Sequence, residues 1–203
     1  MGGVYSIEPF LFVRGVVSEA ELISRVRSGD LTAWENIMQE QQEAVFRLAY
    51  LLLGDAGDAD DVAQEVFIRA YRYLDRFDAS RSLRPWLLGI TTHLARNRRR
   101  SVGRYVHHLA RLARLVPPDV IDPEQETARR AEATLLWKAV RRLSEDDQEI
   151  IYLRYFMEYS VDEVAETLNI AAGTVKSRLS RALERLRGVA REEFPMLRRT
   201  ADE

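Results

Sequence analysis

The chain has 203 residues, of which 46% are hydrophobic, and its 30 basic and 32 acidic side chains leave a formal net charge of −2; this supports packed cores, excludes wholesale disorder and is long enough for two domains. With no cysteine and only 3 histidines, a disulfide framework and a cysteine–zinc site are excluded, no metal or cofactor is expected, and a reducing cytoplasm is the fitting location. No apolar run reaches the roughly 18–20 residues that span a bilayer, so membrane insertion is not expected.

Residues 1–17, MGGVYSIEPFLFVRGVV, read as an N-terminal extension. They lack a basic n-region and carry Glu8 and Pro9, which makes them a poor signal peptide. A loose myristoylation pattern at Gly2 and Ser6 is read as a chance match. Ser18 and Glu21 form a capping-box pattern that opens a short helix ending near Gly29. Residues 31–53 follow as a second helix, with Trp34, Met38, Val45, Leu48 and Leu52 at helical spacing and Gly54 as the stop. A third helix is expected over residues 58–77. Residues 55–65 hold five acids and no base, and Asp61, Gln64 and Glu65 stand at i, i+3 and i+4, on one helix face. Such a face repels nucleic-acid phosphate and calls for a basic protein partner. The short polar stretch 78–83 reads as a loop, after which Pro85 suits the first turn of a helix bearing Trp86, Leu87, Ile90 and Leu94. Residues 81–115 contain nine arginines and no acid.

The stretch VPPDVIDPEQE has three prolines and four acids in eleven residues, and it reads as a linker. Helical patterning resumes near Thr127. Ser144 caps a run containing Ile150, Ile151, Leu153 and Phe156, and Ser160 with Glu163 makes a second capping box. Two helices then hinge around Asn169 and Ile170, with Gly173 expected to provide the turn. In the second helix Val175, Leu179, Ala182, Leu183 and Leu186 share a core face, while Ser177, Ser180, Arg181 and Glu184 lie on the opposite face, with Lys176 and Thr174 on its flanks. Small polar residues beside long cations suit entry into a major groove, as in a helix-turn-helix.

VAETLNIAAGTVKSRLSRALERL, preceded by SEDDQEIIYLRYFMEYS, resembles the C-terminal domain of the extracytoplasmic-function (ECF) sigma factors of the sigma-70 family. DADDVAQEVFIRAYRYLDRFDASRSLRPWLLGI is similar to that family's N-terminal promoter-melting domain, and the two segments stand in the family's order. The resemblance implies −35 contacts from Thr174, Lys176, Ser177, Ser180 and Arg181. It implies −10 contacts from Arg81, Arg84, His93, Arg96, Asn97, Arg99 and Arg100, with a flipped base held between loop and helix. Trp86 is a possible stacking surface, but its periodicity favours the core. Asp61, Gln64 and Glu65 map onto the family's D-x-x-Q-E positions, which dock on the β′ clamp helices of RNA polymerase. Core RNA polymerase through its β′ and β subunits, promoter DNA and an anti-sigma factor are the implied partners. The chain departs from the pattern at His93, where many members carry Asn, and in the loop DASRS, which lacks the common glycine. The acidic linker is either a threading segment of the polymerase channel or a plain spacer.

The expected architecture is all-α: two helical domains joined by a flexible linker, the second containing the helix-turn-helix. The expected divisions are an extension over 1–17, an N-terminal sigma domain over 18–114, a linker over 115–133, a C-terminal sigma domain over 134–194 and a tail over 195–203. The expected function is an alternative sigma factor, not an enzyme. A free-standing helix-turn-helix regulator is the rival, and a helical adaptor binding only proteins is a third reading; neither accounts for the acidic face of Asp61, Gln64 and Glu65.

Overall fold

The computed structural model describes residues 18–112 and 128–194, with side chains placed for 18–100 and 134–194. The expectations for the extension 1–17, for the acidic linker bearing Asp119, Asp122, Glu124 and Glu126, and for the tail 195–203 lie outside the described residues. Every regular element within them is helical: α1 (Glu19–Arg27), α2 (Leu31–Leu53), α3 (Ala56–Tyr73), α4 (Leu83–Leu112), α5 (Ala128–Arg141), α6 (Glu145–Ile151), α7 (Val161–Leu168) and α8 (Ala172–Glu193). A 3-10 turn, Leu74–Arg76, ends α3, and a π-helical turn, Tyr152–Phe156, extends α6.

The helix ends follow from local chemistry. Ser18, Asp30, Asp55, Ser144 and Ser160 each accept a backbone N–H of the first turn that would otherwise lack a partner. Ser160 and Glu163 complete the reciprocal capping box, the Glu163 carboxylate taking the Ser160 N–H at 2.8 Å. Gly54 closes α2 with φ 76°, a left-handed conformation that a Cβ disfavours. Two boundaries differ from the sequence reading. The end of the expected 58–77 helix tightens to 3-10 geometry at Leu74, and α4 begins at Leu83, two residues ahead of Pro85.

Amphipathic faces assemble α1 to α4 around Ile23, Ile37, Leu48, Leu74, Leu83, Leu87 and Leu88, all at most 2% exposed. At roughly 1.5–3 kcal/mol for each such side chain, this core dominates the stability of the first region. The second region packs α6, α7 and α8 around Ile150, Ile151, Leu153, Val164 and Val175. The apolar clusters of the two regions run together. α4 lies against α7 so closely that a Cβ on Gly89 would stand 2.9 Å from the Thr167 carbonyl oxygen. A Cβ on Gly54 would run into the Arg141 guanidinium of α5, and Arg47 of α2 donates to the Phe156 carbonyl at 2.6 Å. The linked domains are therefore in direct contact. No helix among the described residues is long and apolar enough to cross a membrane.

Candidate nucleic-acid and polymerase interfaces

The C-terminal site is an open helix face on a buried base. Asn169 (φ 51°) ends α7 in the left-handed region, and its N–H and that of Ile170 bond back to Glu166 and Ala165. The turn is thus made by Asn169. Gly173, expected to make it, lies inside α8 without a positive φ, and a Cβ there would meet nothing within 4 Å. Val175 and Ala182 are fully buried beneath α8. Leu179, Leu183 and Leu186, expected in the core, are half-buried. Opposite them Lys176, Ser177, Ser180 and Arg181 are exposed, with Thr174 half-buried at the N-terminal edge. Arg181 curls back along the helix, its Nε donating to the Ser177 carbonyl at 3.2 Å, and the Ser177 hydroxyl donates to the Thr174 carbonyl. These bonds are local and exposed, so the donors are released at little cost when a better acceptor arrives.

Arg185 differs from this stripe. Its Nη1 donates to both oxygens of Asp147, at 2.9 and 2.7 Å, and the Asp147 side chain is only 8% exposed. It pins α8 to α6 and is a structural cation. Arg142, Arg178, Arg181 and Arg185 line one polar groove with Asp146 and Asp147.

The arginine segment of α4 is arranged otherwise, because its side chains divide among three directions. His93, Asn97 and Arg100 form an exposed stripe, with Asn97 Nδ2 and His93 Nε2 3.1 Å apart. Arg98 turns to α3, donating to Asp58 at 2.9 and 2.5 Å and to Asp61 at 3.0 Å; these carboxylates make its guanidinium hold its proton more tightly. Arg96 and Arg99 turn to the second region. Arg96 reaches Glu149 at 2.6 and 3.2 Å and Asp146 at 3.0 Å. Arg99 donates to Gln148 at 3.0 Å and stands 3.5 Å from Glu145. Burial pushes the Glu149 carboxyl above the usual range against the opposing pull of Arg96. From the preceding loop Arg81 pairs with Glu166 at 3.0 Å, and in the first turn of α4 Arg84 donates to Gln41 at 2.7 Å. The seven residues expected at the −10 element therefore do not share one open face. Trp86 is half-buried against Phe77, ring centroids 4.7 Å apart, which fits the core reading of this residue.

On α3, Val62, Val66 and Phe67 are buried, while Asp61 and Gln64 are exposed and Glu65 is half-buried. Glu65 pairs with Arg69 at 2.6 Å, and Gln64 bonds Asp60. Beside this face an apolar groove of about 920 Å³ opens between α2 and α3, lined by residues including Leu31, Trp34, Phe46, Phe67, Ile68 and Tyr71. The sequence reading missed it, although Leu31, Ile68 and Tyr71 are large apolar residues on the polar sides of their helices and are 43–61% exposed.

A helix-turn-helix with an open polar face, a separate arginine-bearing helix and an acidic face on α3 are the features of a DNA-binding factor. Residues 37–105 match the family Sigma-70 region 2, and residues 133–186 match Sigma-70, region 4. The ECF RNA polymerase sigma factor SigW of Bacillus subtilis is 32% identical over 179 residues, covering 84% of this chain and 95% of that protein. RNA polymerase sigma factor NccH of Alcaligenes xylosoxydans is 34% identical, covering 84% and 92%. Among solved structures, the sigma factor RpoE of Bartonella quintana, in complex with the anti-sigma factor NepR, is 26% identical. It superposes with a TM-score of 0.61 over 78% of this chain and 97% of that one. The structure of CnrH with the cytosolic domain of CnrY shares the fold at a TM-score of 0.63 and 22% identity, over 86% of this chain and 97% of that one. The chain belongs to the extracytoplasmic-function group of the sigma-70 family and is an alternative sigma factor for transcription initiation. A free-standing regulator is not the favoured reading.

Proposed function

We propose that this chain divides promoter recognition and polymerase docking among three sets of residues. Thr174, Lys176, Ser177, Ser180 and Arg181 read the −35 element in the major groove from a C-terminal domain over 134–194. Arg81, Arg84, His93, Arg96, Asn97, Arg99 and Arg100 contact the −10 element from an N-terminal domain over 18–114. Asp61, Gln64 and Glu65 dock on the β′ clamp helices of core polymerase. The exposed stripe on α8, seated on buried Val175 and Ala182 and bearing Lys176 and Arg181 beside small hydroxyl residues, carries this reading furthest. The factor acts in the cytoplasm and lends specificity to the polymerase without a reaction of its own. An anti-sigma partner is supported by likeness to the Bartonella quintana factor in its complex.

Run-off transcription with purified core polymerase tests the assignment. The wild-type chain directs initiation from one promoter class. Asp61→Ala with Glu65→Ala lowers affinity for core enzyme about tenfold, in the range of an interface residue that matters, and leaves helicity unchanged. Wild-type affinity of the double variant in a competition pull-down removes the docking assignment.

A further inference from the structure

The acids of the second region that meet the −10 set are not scattered. Glu145, Asp146 and Glu149 come from the first turns of α6, and Glu166 comes from α7. They meet Arg99, Arg96 and Arg81, all members of the −10 set. The spacing of carboxylates along α6 gives these cations the kind of anionic row that a sugar–phosphate backbone would offer. We infer that the acidic face of α6, with Glu166, is an internal stand-in for DNA that holds the uncomplexed chain closed over Arg81, Arg96 and Arg99 of its own −10 set. This rests on the −10 assignment above and adds a regulation to it.

Two further features belong to the same contact. Gly89 admits the α7 backbone at a distance no side chain would allow, so closure is built into the packing as well as the charge. The closed form is also left incompletely satisfied. The hydroxyl of Thr167, whose carbonyl faces Gly89, is buried with no hydrogen-bond partner among the described residues. A buried polar group without a partner penalises the state that buries it. The closed form is therefore one that a polymerase surface or a strand of DNA can displace. The α8 stripe is exposed in this form, so closure withholds the −10 contacts of Arg81, Arg96 and Arg99 and leaves −35 contacts available.

Fluorescence anisotropy of the full-length chain with an about 12-nucleotide labelled single strand, at one fixed salt concentration, tests this. The Glu145→Gln, Asp146→Asn, Glu149→Gln triple variant removes the stand-in charges at nearly constant volume. Its control, Glu35→Gln with Glu40→Gln and Glu43→Gln, makes the same change in net charge at exposed positions of α2 that form no ion pair among the described residues. The triple variant should bind at least about tenfold tighter than the control, because the competent fraction rises. Gly89→Leu, which alters no charge, should also tighten binding and increase the radius of gyration in small-angle scattering. If the triple variant keeps wild-type helicity and binds no tighter than the control, closure is not inhibitory. If it does not fold, Gly89→Leu decides, and unchanged binding and size overturn the inference. Polymerase-dependent run-off is read in parallel: run-off without the gain in strand binding removes only the closure, and the gain without run-off removes the sigma assignment of the residues.

Discussion

α8 and α4 both carry cations aimed at nucleic acid, and they differ in what their neighbours offer those cations. Among the described residues, the hydrogen-bond partners of the α8 stripe are carbonyls of the same helix. Around Arg96 and Arg99 stand the carboxylates and amide of a helix some fifty residues away, at separations of 50, 53 and 49. Counting basic residues would rank α4 as the stronger nucleic-acid surface. Availability reverses the order, because a guanidinium already bidentate on a buried carboxylate must break that pairing before it can meet a phosphate.

The largest effect that sharpens this contrast comes from the base on which both surfaces rest. Ile150 is fully buried in α6, the helix that supports α8 and supplies the acids facing α4. Ile150→Ala should destabilise the protein by about 2–5 kcal/mol, read as a lower urea midpoint at unchanged slope. A loss confined to a few tenths would mean that α6 is not the shared support. Next in size, Arg181→Ala should cost about 1–3 kcal/mol of discrimination at one or two −35 base positions. It should leave the urea midpoint in place, since its bonds are exposed and local. A panel of −35 base substitutions transcribed by the holoenzyme reads this, and an unaltered preference profile would move the reading role to Lys176.

The smallest effect concerns how α7 presents the turn to α8. Ser160→Ala should cost about 1 kcal/mol through the lost cap. It should also flatten an acid limb in the stability profile. The Ser160 hydroxyl and N–H hold the Glu163 carboxyl below the ordinary glutamate value of 4.5. A carboxyl whose folded pKa is depressed contributes fully above its unfolded value, and the contribution is lost as pH falls through the folded one. Urea melts of wild type and variant from neutral pH to below pH 4.5 should therefore converge at the acid end. Parallel curves would show that the box carries no pH-dependent stabilisation.

Local features were legible in the sequence. The cap at Ser18, without the reciprocal Glu21 bond the sequence pattern suggests, the full box at Ser160, the stop at Gly54 and the inward turn of Val62, Val66 and Phe67 all depend on residues within one or two helical turns of one another. Three features were not. The left-handed turn at Asn169 was assigned to Gly173 because glycine is the commoner residue for it, while Asn tolerates the same conformation. The π turn at Tyr152–Phe156, closed by the Met157 N–H on the Tyr152 carbonyl at 2.9 Å, breaks the 3.6-residue period on which face assignment rests. That leaves Tyr155 outside at 51% exposure, while Tyr152 and Leu153 are buried. The pairing of α4 with α6 joins two charge blocks that the sequence shows plainly but cannot bring together, since nothing local relates residues 96–99 to 145–149.

The length of α4 converts a small adjustment into a large one. At about 1.5 Å per residue its 30 residues extend about 45 Å, and Gly89, where the α7 backbone bears on it, lies in its second turn. The helix is a lever with its fulcrum near one end. A tilt of about 10° at that point sweeps the Leu112 end through about 6 Å, close to the pitch of one helical turn.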